Sequence, residues 1–178
     1  FGMLGPTKLN HRLLKAWFDS SLAKSGNCHL VFVGENPLGE YGLSLNSQIK
    51  KWGGSSVRIT GWVDQRDFHN YLTAANLGVQ LRTLSRGETS AAVLDCMNYG
   101  LATIVNANGS MADLDDESVW KLPDEFDDQA LIHALETLWS DHEKRNQIGA
   151  RARGIIQANH NPDRCASEYK KVVEGAYK

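Results

Sequence analysis

The sequence predicts an α/β fold with a Rossmann-like, doubly wound parallel sheet and helices on both faces. Short apolar runs alternate along the chain with longer segments whose apolar residues recur at helical spacing. The short runs are continuously apolar, which is typical of strands buried on both faces. The predicted order, β-α-β-α-β-α-β-α-β-(β)-α-α-α, indicates right-handed crossovers within a parallel sheet.

In the first half of the chain, each predicted strand is followed by a helix. We predict strands at 1–4, 29–33 and 57–60, and helices at 9–24, 44–52 and 65–75. Gly26 ends the first helix, Gly53 and Gly54 close the second, and a glycine-rich loop covers 34–42. Because residues 1–4 look like a strand entered part-way, we expect the chain to be a piece of a longer protein.

The second half begins with the same alternation and ends in helices. We predict strands at 77–81 and 102–106, a loop at 82–89, a helix from Ser90, a polar loop at 107–116 and a short edge strand at 119–122. Helices then begin near Asp127, Asp141 and Asn161, the last with Pro162 at its first position. Its predicted apolar face consists of Cys165, Tyr169, Val172 or Val173, and Ala176.

Composition excludes several classes of protein. The chain has 178 residues, enough for one domain with a substantial core, and a net charge of −2, which gives no reason to expect nucleic acid as a partner. No apolar run is long enough to span a bilayer, and no signal-peptide pattern is present. The three cysteines, Cys28, Cys96 and Cys165, lie far apart, so we expect reduced, half-buried thiols in a cytoplasmic protein.

The loop at 82–89 is the first candidate site, because it lies between the end of a strand and the start of a helix, where open α/β sheets bind ligands. Thr89 or Ser90 can cap this helix, and the free N–H groups beside Ala91 suit a phosphate. Asp95 follows one turn later, at a depth where it could bind a ribose. An ordinary solvated loop with an exposed Asp95 is the alternative.

Three more loops should converge on the same edge of the sheet. They carry Lys8; Gly34 and Glu35; and Gly61, Trp62 and Val63. With Arg86, Gly87, Glu88, Thr89 and Ser90, they offer what a nucleotide diphosphate needs: cations, a helix N-terminus, a carboxylate and an apolar turn. Taken singly, Lys8 could be a solvated lysine, Trp62 a packing residue and Glu88 a helix-start carboxylate.

Other chemistries lack their usual patterns. The chain has no Gly-x-Gly-x-x-Gly after its first strand, no Walker loop, no His-Glu-x-x-His and no Cys-x-x-Cys. Its six histidines are scattered, and no local pattern indicates a cysteine or serine nucleophile. We therefore expect neither a metal nor a cofactor.

Several segments, in the right order, resemble one known family. They are 1–8, 30–34, 57–63, 71–76 and 95–105. The first is similar to Gly-Arg-Leu-x-x-x-x-Lys, the third to Val-x-Phe-x-Gly-x-Val, and the last to Glu-Ala-Met-Ala-x-Gly-x-Pro-Val-Val. These patterns are typical of retaining GT-B glycosyltransferases of family 4, or glycosyl transferases group 1, in their C-terminal, donor-binding domain.

The resemblance implies roles for particular residues. Lys8 would neutralise the donor diphosphate, residues 61–63 would hold the base, Asp95 would bind the ribose, and residues 87–91 would wrap the sugar. Glu88 would be catalytic together with Lys8. Three departures matter: the family arginine falls at Met3, the first of its paired glutamates falls at Gly87, and the second is the shorter Asp95. Arg86 and Glu88 are the candidates to replace the first two.

The resemblance also implies an incomplete enzyme. Residues 1–178 would form one nucleotide-sugar-binding domain, inactive alone, and a preceding domain would hold a sugar, lipid or polysaccharide acceptor. With that domain, at the inner face of the membrane or in the cytoplasm, the chain would transfer a sugar, hexosyl or related, with retention. The donor would be a nucleotide-diphosphate sugar, a substrate rather than a cofactor. A nucleotide-sugar epimerase of the same fold and a non-catalytic binding module are the alternatives.

Overall fold

The computed structural model describes residues 1–52 and 54–177 and confirms the α/β prediction. The strands are β1 (Leu30–Phe32), β2 (Val57–Ile59), β3 (Leu77–Gln80), β4 (Ala102–Asn106) and β5 (Trp120–Leu122). The α-helices are α1 (Asn10–Asp19), α2 (Glu40–Lys51), α3 (Gln65–Ala74), α4 (Ala91–Asn98), α5 (Asp128–Ser140), α6 (His142–Asn159) and α7 (Pro162–Ala176). Short 3-10 helices cover Pro6–Lys8, Leu22–Lys24 and Gly109–Met111.

All the strand pairs are parallel, but the described strands form two sheets where the sequence predicted one. β1 pairs with β2, with Leu30 opposite Val57. β4 lies between β3 and β5, with Ala102 opposite Leu77 and Ile104 opposite Trp120. β5 is the edge strand that the sequence predicted. All five residues of β4 are buried, as expected of a strand that is covered on both faces.

β4 separates two apolar layers, because successive side chains of a strand point to opposite faces. Ile104 belongs to the cluster that contains Leu14 of α1 and Leu135 of α5. Val105 belongs to a second cluster, which contains Met97 of α4 and Ile156 of α6. Helices therefore cover both faces of the sheet, which is the doubly wound arrangement.

The first predicted strand is wrong, because residues 1–4 form no strand. The Gly2 N–H donates to the Val33 carbonyl at 2.8 Å, and the Leu4 N–H donates to the Glu35 carbonyl at 2.9 Å. This segment therefore runs beside the chain that follows β1, with too few hydrogen bonds for a strand.

Two predicted helices have different bounds. The first ends at Asp19, because the backbone of Ser20 is extended and its hydroxyl donates to the Trp17 carbonyl at 2.6 Å. The second begins at Glu40, inside the predicted loop, where Gly42 packs against the Pro37 carbonyl with no room for a Cβ. Gly53, predicted to close this helix, lies outside the described residues.

The predicted helix α7 is present, but its predicted apolar face is exposed to solvent. Every described residue from His160 onward is exposed, and Tyr169 is 76% exposed. Of the three free cysteines, Cys28 and Cys96 are buried and Cys165, on α7, is exposed. None of the helices among the described residues is long and apolar enough to cross a membrane.

Candidate functional site

A polar cavity of about 250 Å³ lies at the carboxyl ends of β3 and β4. Three segments form its walls: the 3-10 helix that ends at Lys8, the loop between β3 and α4, and the chain that follows β4. The lining residues are Lys8, Arg82, Leu84, Ser85, Glu88, Thr89, Ser90, Ala91, Ala92, Asn108, Ser110 and Met111. This is the edge at which open α/β sheets bind ligands.

Asn106, the last residue of β4, fixes the start of the loop after β3. Its side chain is fully buried and is hydrogen-bonded to both the N–H and the carbonyl of Arg82. Its Oδ1 accepts from the Arg82 N–H at 2.8 Å, and its Nδ2 donates to the Arg82 carbonyl at 2.7 Å. Nδ2 also donates to Oδ1 of Asp124 at 3.1 Å. A buried amide that is satisfied by its neighbours in this way holds the backbone of Arg82 in one position.

Lys8 reaches the cavity because its neighbours leave space for it. The Thr83 N–H donates to the Thr7 carbonyl at 2.9 Å, which ties the loop after β3 to the 3-10 helix. A Cβ on Gly2 would lie 2.9 Å from Nζ of Lys8, and Gly2 has a φ of +89°. Glycine at position 2 therefore allows both the backbone conformation and the position of the ammonium group.

Lys8 and Arg82 bring two positive charges to the cavity. Burial lowers the pKa of Lys8, and the nearby charge of Arg82 lowers it further. Burial also lowers the pKa of Arg82, while the charge of Glu88 raises it. An anion bound between these two half-buried cations would reduce the repulsion between them and favour their charged forms.

The start of α4 adds free hydrogen-bond donors to the same wall. Ser90 is the N-cap residue, but its side chain does not cap the helix. The first N–H groups of an α-helix have no acceptor within the helix, and here Ala91 and Ala92 lie at the cavity. Nη2 of Arg82 donates to Oγ of Ser90 at 3.4 Å, which brings the guanidinium to this helix end. The helix dipole adds to the positive potential there.

Glu88 is an exposed, ionised carboxylate at the mouth of the cavity. Hydrogen bonds from its own backbone N–H and from the N–H of Arg86 lower its pKa. The Arg86 N–H donates to Oε2 of Glu88 at 2.7 Å, and the hydroxyl of Ser110 donates to the Glu88 carbonyl at 2.9 Å. The loop and the chain after β4 thus hold Glu88 between them.

Of the predicted site residues, the structure brings five together in the cavity: Lys8, Glu88, Thr89, Ser90 and Ala91. Arg86 and Gly87 are exposed in the same loop and do not line it. Arg82, which the sequence did not single out, is the cation that lies beside Lys8.

None of the five predicted residues after β1 and β2 lines the cavity. Two of them meet each other: Gly34 and Gly61 form an antiparallel bridge, and Gly34 packs against the Gly2 carbonyl with no room for a Cβ. Of the other three, Glu35 and Trp62 are exposed and Val63 is half-buried. The contact between Gly2 and Lys8 connects this group to the cavity.

Asp95 lies apart from the cavity lining, in the second turn of α4. Its side chain is half-buried, which raises its pKa, and the charge of His69 on α3 partly counters this effect. No group of three or more His, Cys, Asp or Glu residues in the described part of the chain is arranged to hold a metal.

Sequence analysis did not predict four residues that line the cavity or hold its wall. Arg82 and Asn106 stand at the ends of apolar strands, and Asn108 and Ser110 lie in what was predicted to be a polar loop. Polar residues at the carboxyl end of a buried strand are the signal that could have found them.

Comparison with known proteins places the chain in a family. The sequence model of glycosyl transferases group 1 matches residues 1–155. The chain belongs to the glycosyl transferases group 1 family. No curated protein sequence matches this glycosyltransferase domain significantly.

Solved structures share the fold of this group 1 domain. The C-terminal domain of the group 1 glycosyl transferase LpcC from Francisella tularensis has a TM-score of 0.77 at 18% identity, over 91% of this chain and 84% of that one. Anabaena Alr3699/HepE in complex with UDP-glucose has a TM-score of 0.83 at 19% identity, over 98% of this chain and 48% of that one.

A third structure extends this likeness. Sucrose-phosphate synthase from Thermosynechococcus elongatus has a TM-score of 0.81 at 19% identity, over 99% of this chain and 45% of that one. The group 1 domain therefore spans about half the length of the Anabaena and Thermosynechococcus proteins. Its fold is that of the C-terminal, Rossmann-like domain of GT-B glycosyltransferases.

Proposed function

We propose that this chain is the donor-binding half of a glycosyltransferase that uses a nucleotide-diphosphate sugar. One observation carries the proposal: Lys8 and Arg82, both half-buried, share a cavity with the uncapped start of α4. Two cations and free helix N–H groups suit the diphosphate of such a donor. UDP is the first nucleotide to test, because the structurally similar Anabaena protein was solved with UDP-glucose.

In the proposed reaction, the bond between the anomeric carbon and the diphosphate breaks as negative charge builds on the leaving oxygen. Lys8, Arg82 and the N–H groups of Ala91 and Ala92 would stabilise that charge. Because these donors are already in place, their stabilisation requires no rearrangement during the reaction. The ionised Glu88 at the cavity mouth would face the sugar, whose ring gains positive charge in the transition state.

The outer parts of the donor have proposed sites of their own. Trp62, with Gly61 and Val63, would hold the base, and Asp95 would bind the ribose. The bridge between Gly34 and Gly61 supports the first assignment, because Gly34 packs against the Gly2 carbonyl and Gly2 lies against Nζ of Lys8, a residue of the cavity. Glu35 follows Gly34 and would lie beside this contact.

We infer that the acceptor, a sugar, lipid or polysaccharide, is held by a preceding domain, and that transfer retains the anomeric configuration. On this proposal the 178-residue chain binds the donor but transfers no sugar. Full-length protein incubated with UDP-glucose and an acceptor, followed by NMR of the product, would show the configuration. An inverted product would contradict the proposed mechanism while leaving donor binding intact.

A non-catalytic donor-binding module is the second candidate. Met3, which is 61% exposed, stands where the resemblance places an arginine, and Gly87 stands where it places a glutamate. If the chain binds UDP but the full-length protein neither transfers nor epimerises the sugar, the binding module is the better description.

Calorimetric titration of the chain with UDP tests the proposal directly. We expect Lys8→Met and Arg82→Met each to weaken UDP binding by about tenfold or more, because each removes a charge-assisted hydrogen bond to phosphate. Arg86→Met is the matched control and should change affinity by less than about twofold, because an exposed cation outside the cavity contributes little.

Two results would reject the proposal. One is no heat with UDP, ADP or GDP, provided that circular dichroism shows a folded protein. The other is an equal loss of affinity in all three variants, which would indicate general attraction by positive charge instead of a cavity built around Lys8 and Arg82.

A further inference from the structure

The loop between β3 and α4 forms one wall of the polar cavity with little apolar burial of its own. Residues 83–89 are all exposed or half-buried, and the large apolar side chain among them, that of Leu84, is 52% exposed. A segment with few buried apolar contacts opens easily unless other interactions hold it. The conformation of this wall therefore depends on hydrogen bonds.

Three consecutive backbone N–H groups of this loop are satisfied by side chains of the loop itself. The Arg86 N–H donates to Oε2 of Glu88 at 2.7 Å, and the Gly87 N–H donates to Oγ of Ser85 at 3.1 Å. The N–H of Glu88 donates to the carboxylate of its own side chain. The carboxylate of Glu88 thus accepts from two of the three N–H groups and closes residues 86–88 into a tight turn.

Gly87 allows this turn to form. Its φ of +88° lies in the left-handed region, which other residues rarely adopt. A Cβ at this position would meet nothing within 4 Å, so the backbone conformation, and not a lack of space, favours glycine here. The reversal at Gly87 lets the side chain of Glu88 reach back to the N–H of Arg86.

The turn is anchored to the chain that follows β4. The hydroxyl of Ser110 donates to the Glu88 carbonyl at 2.9 Å, and Ser85 packs against Gly109 with no room for a Cβ there. Residues 89–91 come next in the chain and line the cavity. Glu88 therefore lies at the junction between the exposed turn and the cavity wall.

The charge of Glu88 and its hydrogen bonds should affect the binding of an anion in opposite directions. A carboxylate at the mouth of the cavity repels a diphosphate, although Lys8 and Arg82 attract it. The same carboxylate is a strong acceptor for backbone N–H groups, because hydrogen bonds to a charged group are stronger than those between neutral groups. A substitution that removes only the charge can therefore be distinguished from one that also removes the acceptor.

We propose that Glu88 is a positioning residue, whose carboxylate holds the loop after β3 in the conformation of the cavity wall before a ligand binds. This inference deepens the function proposed above and rests on it in taking UDP as the ligand. A wall that is already ordered spares the ligand the entropy cost of ordering it. The role is separate from a contact with the donor sugar, because UDP contains no such sugar.

Glu88→Gln and Glu88→Ala separate the acceptor from the charge. Glutamine keeps an oxygen that can accept from the Arg86 N–H, whereas alanine removes both oxygens. In calorimetric titration, Glu88→Gln should bind UDP as tightly as the parent or up to about threefold more tightly, because the repulsion is gone. Glu88→Ala should bind UDP about fivefold or more weakly than Glu88→Gln, because the loop then has to be ordered on binding.

Amide exchange without nucleotide reports on the loop directly. The N–H groups of residues 86 and 88 should exchange about tenfold or more faster in Glu88→Ala than in Glu88→Gln, because their acceptor is lost. Asp113→Ala is the control, because it removes an exposed carboxylate from the chain after β4. It should change UDP affinity by less than about twofold and leave the exchange of both amides unchanged.

Two results would overturn the proposal: exchange at residues 86 and 88 that is equal in the two Glu88 variants, or UDP affinity that falls equally in both. The second would mean that the charge matters and the acceptor does not. If the parent protein binds no UDP, the proposed function fails, and the exchange rates still decide whether Glu88 holds the loop.

Discussion

The two sheets fix the loops at their carboxyl ends in different ways. After β3 and β4, side-chain hydrogen bonds hold the backbone: Asn106 clamps Arg82, and Ser110 binds the Glu88 carbonyl. After β1 and β2, the bridge between Gly34 and Gly61 brings backbone against backbone, and only a single hydroxyl supports it in the described residues: Oγ1 of Thr60 accepts from the Gly34 N–H at 3.1 Å and donates to the Gly61 carbonyl at 2.7 Å. Only the loops after β3 and β4 line the cavity, and that cavity holds the groups proposed to bind the donor diphosphate.

This difference predicts which substitutions should affect the cavity. Removing the buried amide of Asn106 should release the loop after β3 and so displace Arg82. The contact of Gly34 with the Gly2 carbonyl should fail when a side chain is added at position 34, while the cavity walls should stay in place. Four substitutions, from the largest expected effect to the smallest, test this contrast.

Asn106→Ala should have the largest effect. It leaves the N–H and the carbonyl of Arg82 without their buried partners, which costs about 3–4 kcal/mol and lowers Tm by about 6–15 °C. UDP binding should be lost as well, since Arg82 is no longer held. Differential scanning calorimetry and titration with UDP measure the two effects.

Asn146→Ala is the control for the same change, because Asn146 is exposed on α6. It should stay within about 0.5 kcal/mol of the parent protein. If Asn106→Ala melts with the parent protein, the clamp does not fix the loop, and the contrast between the two sheets is wrong.

Gly34→Ala should come next. A Cβ at position 34 has no room beside the Gly2 carbonyl, and the φ of +152° disfavours any other residue. We expect a loss of about 2–3 kcal/mol in the free energy of unfolding. Gly5→Ala is the matched control, because a Cβ there meets nothing within 4 Å.

Gly34→Ala should leave the cavity intact. Measured well below the transition temperature, Gly34→Ala should keep UDP affinity within about threefold of the parent, since charge-assisted contacts to phosphate dominate the binding energy. A loss as large as that of Asn106→Ala would show that the loops after β1 and β2 belong to the anion-binding part.

Asp128→Asn tests the ion pairs that tie α1 to α5. Nη2 of Arg12 lies 2.8 Å from Oδ1 of Asp128, and Nζ of Lys15 lies 2.9 Å from Oδ2. The hydrogen bond from Lys15 is the main cause that lowers the pKa of Asp128, and Arg12 lowers it further. At pH 7 the substitution should lower Tm by about 2–4 °C, as expected for a partly exposed network.

The pH dependence of this effect has a definite sign. Because the folded pKa lies below the ordinary 3.8, the carboxylate stabilises the fold above pH 3.8. That stability is lost as the pH falls through the lowered pKa, so the variant and the parent should converge in acid. Asp19→Asn, in an exposed pair with Lys15, should show no measurable change. A difference in Tm that persists in acid would contradict this account.

Trp62→Ala should have the smallest effect on stability. Its side chain is 77% exposed, so Tm should stay within about 2 °C of the parent. UDP affinity should fall by about fivefold if the ring stacks on the base, since such stacking contributes about 1 kcal/mol. Tyr177→Ala, 88% exposed on the chain after α7, is the control and should leave both unchanged. Unchanged affinity in Trp62→Ala would remove this residue from the donor site.

Local patterns predicted most of the elements, because glycines and caps mark their ends. α3 begins after Asp64, whose side chain accepts from the Asp67 N–H as an N-cap, and β4 matches the predicted strand at 102–106. The break at Ser20 was missed because it depends on one hydroxyl. The division of the strands into two sheets was missed because strand pairing is a long-range property.

The same difference between local and long-range signals applies to the candidate site. Lys8 and the residues before α4, which line the cavity, could be singled out because a strand end, a helix start and a lysine are visible in the local sequence. Arg82 and Asn106 were not, because their relation joins positions 24 apart in the chain. Sequence also could not show that Asp95 lies apart from the cavity lining, because helical spacing gives a side chain's face but not its neighbour.

The exposure of α7 has a practical consequence. All 15 residues of α7 are exposed, and an isolated helix of this length is close to the shortest that persists in water. Its local support is the N-terminal cap at Asn161 and two exposed ion pairs, Lys170 with Glu174 and Lys171 with Glu168. Trypsin should therefore cut first at Arg164, Lys170 and Lys171, long before it reaches α6. The trimmed protein, ending at Arg164, would keep both apolar layers and would be the better starting material for crystallisation.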